Sequence, residues 1–274
     1  MKKSLLYLIL FVAANMVGGA VALLLSRWEH FAEGTEVSMD GLGNLPVSIG
    51  VAMFCTYVVL VVLMWVLKLI PRPLFPRTDK SPWHAEVSAM AAVAFLAFAL
   101  SLLIAPLHLS DGGMTEQFDA MKDNVLCLLL LTVVGPLVEE LVFRAGVLRS
   151  LLQSRWHPLA TILTTAALFA VVHANPMQAL PALVSGSLFG VLYFRSGSLR
   201  LPLMAHILNN TLAVLSMHFP EMESHLEAWP VLWQLLLGFA LLCVSFFLVA
   251  QWWKKTPQRM VKQLKTFVDE NRND

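Results

Sequence analysis

Charge is what this sequence has least of. Only 14 % of its 274 residues are Asp, Glu, Lys or Arg, against 58 % hydrophobic, and the mean hydropathy is +0.70. A soluble domain carries about a quarter charged residues, so that class is excluded and the chain reads as a multi-pass membrane protein. Cysteine is nearly as scarce. Cys55, Cys127 and Cys243 each fall in an apolar segment with no CxxC, which argues against a disulfide framework or thiolate metal cluster and leaves them as small packing residues. There is no long basic run to engage nucleic acid, no HExxH, no internal repeat and no low-complexity block, and no second soluble domain is expected.

What is present is a series of apolar runs long enough to cross a bilayer of about 30 Å. They cover approximately residues 4–25, 47–70, 87–107, 125–148, 159–174, 179–194, 203–219 and 231–251. The expected fold is therefore all-α, a transmembrane helical bundle of about eight spans. Met1-Lys2-Lys3 followed by a long apolar run reads as a retained first span, since the run outlasts a signal-peptide core of about 7 to 15 residues. Lys2, Lys3, Lys68, Arg72, Arg77, Lys80, Arg149, Arg155, Arg195, Arg200 and the Lys254–Lys265 tail fall on one side, which the positive-inside rule makes the cytoplasm. Both termini are then expected to be cytoplasmic. The acidic loops around Glu33 to Asp40, Asp111 to Asp119 and Glu221 to Glu227 fall opposite.

All eight tryptophans lie near span ends and are expected to be headgroup-level anchors. Pro71-Arg72-Pro73 and Pro76 mark a linker, and the tail from Lys254 reads as either an interfacial basic helix or a disordered segment. The chain divides into three N-terminal spans (1–122), a core (123–219), and a last span with a basic tail (220–274).

The few polar residues inside the spans are concentrated in the core. Glu139, Glu140 and Arg144 lie in one apolar segment, where a centrally placed carboxylate costs about 2.5–3.5 kcal/mol to insert. Residues four apart share a helical face, so Glu140 and Arg144 are placed to pair. A packing role would account for that pair but leaves Glu139 over. His173 lies four residues after Phe169, and His206 four before Asn210. Glu139 and His173 are each about sixteen positions from the turn near Arg155 to Pro158, which puts them at similar depth. A carboxylate, two imidazoles and an amide on three spans form a set suited to activating water.

Glu139-Glu140 with Arg144 reads as EExxxR, Phe169 with His173 as FxxxH, and His206 with Asn210 as HxxxN, in that order on successive spans. The chain resembles the CPBP family of CAAX proteases and bacteriocin-processing enzymes, also called Abi, and is similar to the Rce1-type CAAX prenyl protease. The resemblance covers about residues 125–215. It implies an intramembrane endopeptidase in which Glu139 and His173 hold and deprotonate a water. Glu140, Arg144 and Phe169 would shape the site, and His206 with Asn210 would stabilise the oxyanion.

Physical chemistry is compatible with that division, because an apolar surround strengthens a carboxylate as a base and imidazole or amide donors suit an oxyanion hole. Glu139, His173 and His206 are also a zinc ligand set, so a metalloprotease stands beside the metal-free expectation, which needs no cofactor. Two readings from other classes compete. A proton-coupled transporter would also use buried Glu, His and Arg, but the chain lacks an inverted repeat. A non-proteolytic interaction or immunity protein would keep binding after Glu139 is substituted. The short loops and the Met-Lys-Lys start suit a bacterial inner membrane. There the expected partner, besides the lipid bilayer, is a membrane-bound peptide or protein substrate rather than a prenylated cysteine.

Overall fold

The protein is described by a computed structural model covering residues 2–33, 46–71, 82–219, 225 and 228–260, and every regular element among these is helical. The helices are α1 (Lys2–Glu33), α2 (Pro46–Val66), α3 (Trp83–Ile104), α4 (Met114–Met121), α5 (Val125–Gln153), α6 (Pro158–Val171), α7 (Pro176–Ser196), α8 (Arg200–His218) and α9 (Val231–Lys255). Each of the eight apolar segments forms one helix. The short amphipathic α4 is an addition, in a stretch read as a loop. Much of the proline-rich linker, the loop residues Glu36, Asp40, Glu221, Glu223 and Glu227, and the tail beyond Met260 lie outside the described residues.

By length and composition, α1, α2, α3, α5, α7 and α9 can each cross a bilayer. The protein is an integral, multi-pass membrane protein. Helix α6 has 14 residues and reaches about 21 Å at 1.5 Å per residue, short of the hydrocarbon thickness. Helix α8 has 19 residues but is diluted by His206, Asn209 and Asn210. Large apolar side chains such as Phe98, Phe239 and Phe246 project outward, as they would toward lipid.

Two buried cores run through the bundle. One joins α1, α2, α5 and α6, with Tyr7, Leu60, Phe143 and Phe169 among its members. The other joins α3, α8 and α9. Helix α7 supplies both, giving Ala182, Tyr193 and Phe194 to the first and Leu188, Phe189 and Leu192 to the second. Helix α9 lies along α3, held by hydrogen bonds from Ser245 Oγ to Ala92 O (2.8 Å) and from Ser88 Oγ to Leu248 O (3.1 Å). Such serine bonds join helices where water cannot compete.

Trp252 departs from the expected ring of interfacial anchors, being fully buried in the second core. The last turn of α9 docks on the end of α7. There Arg195 lies over the Trp253 ring at 4.4 Å and donates from Nη2 to Trp253 O at 2.9 Å, which turns Trp252 inward.

Helices α1 and α5 meet closely at Gly146, where an added Cβ would lie 2.6–2.8 Å from three Tyr7 ring atoms. The ring cannot yield readily, because its hydroxyl donates to Leu69 O. Gly146→Ala is expected to lower stability by about 1–3 kcal/mol, the usual range for overpacking a core. Thermal unfolding of the purified protein in detergent checks this.

Candidate active site

The candidate site is built on α5, whose hydrogen-bond ladder is irregular on both sides of the glutamate pair. Wider π-type turns at Leu130–Val134 and Leu141–Leu148 flank a regular segment, Gly135–Glu140. Pro136 supplies the local cause of the first, since it has no N–H and its ring crowds the preceding turn. Gly135 N–H then bonds Leu130 O, five residues back, so Leu131 O receives no partner from the next turn. Asn210 Nδ2 of α8 donates to it at 3.0 Å. One proline thereby creates a backbone acceptor that ties the two helices together.

Glu140 and Arg144 lie on one face of α5, and both side chains are fully buried. Arg144 Nη1 donates to Glu140 Oε1 at 2.7 Å, and Nη2 donates to Gly186 O of α7 at 3.0 Å. The guanidinium lies 4.8 Å from the Phe169 ring centroid and 5.3 Å from that of Phe189, so aromatic faces supply the rest of its surround. A Cβ at Gly186 would meet Phe169 Cδ1 at 3.0 Å and Arg144 Nη2 at 3.3 Å, which explains a glycine there.

His206 of α8 stands between the two glutamates. Its Nδ1 is 3.0 Å from Glu140 Oε1 and its Nε2 is 3.5 Å from Glu139 Oε2. The His206 side chain is 4 % exposed and that of Glu140 0 %, while Glu139 keeps 20 %. Glu139 is therefore the carboxylate of this cluster that solvent or a substrate can reach. Its neighbours are held by buried partners.

His173 lies just beyond the C-terminus of α6 rather than on the helix, which ends at Val171, three residues earlier than the sequence suggested. The next residue, Ala174, has φ +53. His173 Nδ1 is 2.7 Å from Phe169 O, and because a carbonyl only accepts, that nitrogen carries the hydrogen. The Nε2 lone pair is left to accept from water. Asn175 closes the turn, accepting from Met177 N and Gln178 N and donating to Asp111 O. The Phe169 ring contacts both imidazoles, with centroids 4.8 Å from His173 and 5.6 Å from His206.

Arg144, His173 and His206 thus surround Phe169, and Glu139 and Asn210 differ from expectation in their contacts. Among the described residues no ion pair joins Glu139 to His173, and the near partner of Glu139 is His206. One amide hydrogen of Asn210 is committed to Leu131 O, so only the other remains for a reacting group. The zinc alternative needs Glu139, His173 and His206 to converge. Among the described residues no three His, Cys, Asp or Glu side chains converge in that way, although a histidine held through Nδ1 by a carbonyl, as His173 is, keeps Nε2 open as a ligand.

Sequence reasoning missed Gly186 and Phe189. It also missed Tyr57 of α2, whose hydroxyl packs against α5 at Gly135. The run Ser185-Gly186-Ser187 is a signal for close helix packing, but nothing in it points to Arg144.

Residues 121–212 match the model of the Rce1-like family, described as type II CAAX prenyl endopeptidase Rce1-like. A Bacillus subtilis (strain 168) protein described as "Putative membrane peptidase YdiL" is 24 % identical over 186 residues, covering 65 % of this chain and 75 % of that protein. Over that segment the chain is similar to the Rce1-like family. The Rce1-like segment contains every site residue from Glu139 to Asn210 and leaves α1, α2 and α3 outside it. An "Uncharacterized 24.3 kDa protein" of Escherichia coli is 32 % identical over 142 residues, 49 % of this chain and 63 % of that one. No solved structure matches the chain.

Removing one member of a buried ion pair strands the other charge at a cost of about 3–5 kcal/mol. Arg144→Ala is therefore expected to lower stability by about that amount in detergent unfolding, and Arg144→Lys to recover only part of it, because an ammonium cannot serve Glu140 and Gly186 O with a planar fork.

Proposed function

We propose that the protein is an intramembrane endopeptidase of bacterial cell membranes, hydrolysing a peptide bond in a membrane-associated peptide or protein with Glu139 as general base. The observation that carries this reading is the contrast within one cluster. Glu140, Arg144 and His206 are sealed in mutual contacts, and Glu139 beside them is reachable.

The hydrogen-bond inventory favours a definite division of protons. Glu140 accepts from Arg144 and from His206 Nδ1–H, and the remaining His206 nitrogen faces Glu139. A bare lone pair against a carboxylate is repulsive, so one proton belongs between Nε2 and Glu139. With that proton on His206, two anions face two cations and the cluster is neutral in a low-dielectric surround.

Glu139 and the Nε2 lone pair of His173 then hold a water between α5 and the end of α6. One water O–H bond breaks, its proton passes to Glu139, and the oxygen bonds the scissile carbonyl carbon. The carbonyl π pair moves onto oxygen, giving an oxyanion met by the His206 Nε2–H and by the uncommitted amide hydrogen of Asn210. Collapse expels the amine, which takes the proton from Glu139. The peptidase name of the Bacillus subtilis relative supports this reaction class over transport or sequestration.

The test compares membrane peptides and protein termini in cells carrying the wild type and Glu139→Gln at matched expression. A terminus should vanish and its uncleaved precursor accumulate, and His173→Ala should do the same while remaining membrane-inserted. If neither variant changes any terminus, the protease reading fails. Cleavage of that precursor by purified protein is expected to survive dialysis against EDTA, and its loss with recovery on added zinc would replace the metal-free scheme.

A further inference from the structure

The chain has only three tyrosines, Tyr7, Tyr57 and Tyr193, all inside helices that cross the membrane. Two of the hydroxyls have evident structural work. Tyr7 donates to Leu69 O, and Tyr193 is set against Arg149. The Tyr57 hydroxyl makes no protein hydrogen bond among the described residues, although its ring is packed into the first core. A phenol placed in a bundle interior normally finds an acceptor.

Its position against α5 says where an acceptor would appear. Tyr57 Oη lies 2.7 Å from where a Cβ of Gly135 would be, so the hydroxyl rests on the backbone of the helix that carries the glutamates. Gly135 and Glu139 are four apart in a regular α-helical segment and share a face. Helical side chains lean toward the N-terminus, over the preceding turn, so the Glu139 side chain leans toward the turn that Tyr57 covers. His206 Nε2 stands at Glu139 Oε2, so an imidazole borders the carboxylate that solvent reaches, and a phenolic O–H rests on the helical turn before it.

Building on the proposed hydrolytic role of Glu139, we propose that the Tyr57 hydroxyl is a catalytic hydrogen-bond donor to the oxyanion formed when the Glu139-held water adds to the scissile carbonyl. Asn210 has one amide hydrogen tied to Leu131 O, so beside its other amide hydrogen and the His206 Nε2–H, Tyr57 supplies a further, neutral donor that leaves the charge balance of the Glu139, Glu140, Arg144 and His206 cluster unchanged. Gly135 is the residue that admits it. A side chain there would push the hydroxyl off the helix. The first three spans thereby contribute a reacting group to a site otherwise drawn from residues 139–210.

The test uses the full-length protein and, as substrate, the precursor that accumulates in Glu139→Gln cells. Tyr57→Phe keeps the ring and removes only the oxygen. It is expected to lower kcat by about 10²–10³-fold, the effect of deleting one oxyanion donor, with KM and the thermal midpoint close to wild type. Gly135→Ala, which retains the hydroxyl and displaces it, is expected to lower kcat in the same direction. Full kcat in Tyr57→Phe, with Glu139→Gln inactive, overturns the Tyr57 assignment and leaves the protease reading standing. A fall in Tyr57→Phe that appears only as higher KM or a lower melting temperature also overturns it, as a packing role. If Glu139→Gln cells accumulate no precursor, the protease reading falls and the Tyr57 role falls with it.

Discussion

Everything at the centre of this bundle depends on the ion pair between Glu140 and Arg144, buried without exposure between two apolar cores. A charge cannot be left alone there, so each partner dictates the position of several others. The guanidinium needs acceptors and aromatic faces, which brings Gly186, Phe169 and Phe189 to it from two further helices. The carboxylate takes a second donor, which brings His206 from a third. Four helices are therefore indexed to one another by a polar contact rather than by apolar packing, which slides more easily in lipid.

That arrangement also divides the labour between adjacent residues. Glu139 and Glu140 point about 100° apart on the helix. One turns into the protein, where its Oε1 takes donors from Arg144 and His206, and the other turns toward the reachable side. The fixed carboxylate holds the histidine, and the histidine borders the free one. Phe169 adds a rigid, neutral floor under both imidazoles, so their ring planes are set by edge-to-face contact as well as by hydrogen bonds.

The helical, membrane-spanning character was legible because apolar runs of bilayer length have no other stable fate. The ion pair was legible for a similar reason, since spacing of four along a helix brings Glu140 to Arg144. What the sequence could not carry was the irregular backbone. The missing N–H of Pro136 widens a turn of α5 and leaves Leu131 O for Asn210, so an amide that reads as an oxyanion donor partly becomes a brace. His173 reads as helical because nothing local announces a stop at Val171, and the turn is fixed from outside by Asn175 and the Asp111 carbonyl. Tyr57 is invisible in the same sense. A tyrosine in an apolar helix acquires meaning only from the glycine it faces across the bundle.

The shortness of α6 bears on how lipid and substrate meet this protein. A helix of 14 residues falls about 9 Å short of a 30 Å hydrocarbon layer, and the difference is hydrophobic mismatch. Lipid next to such an element thins locally, and polar headgroups are drawn inward on that side. The turn carrying His173 is where that indentation leads. On the proposed peptidase reading, water would need only a short path from there to the glutamate, and a substrate segment passing through thinned bilayer would lose less solvation on unwinding to expose a peptide bond. Membrane deformation thus does part of what a deep aqueous channel would otherwise do, and the protein can keep the rest of its circumference sealed against lipid.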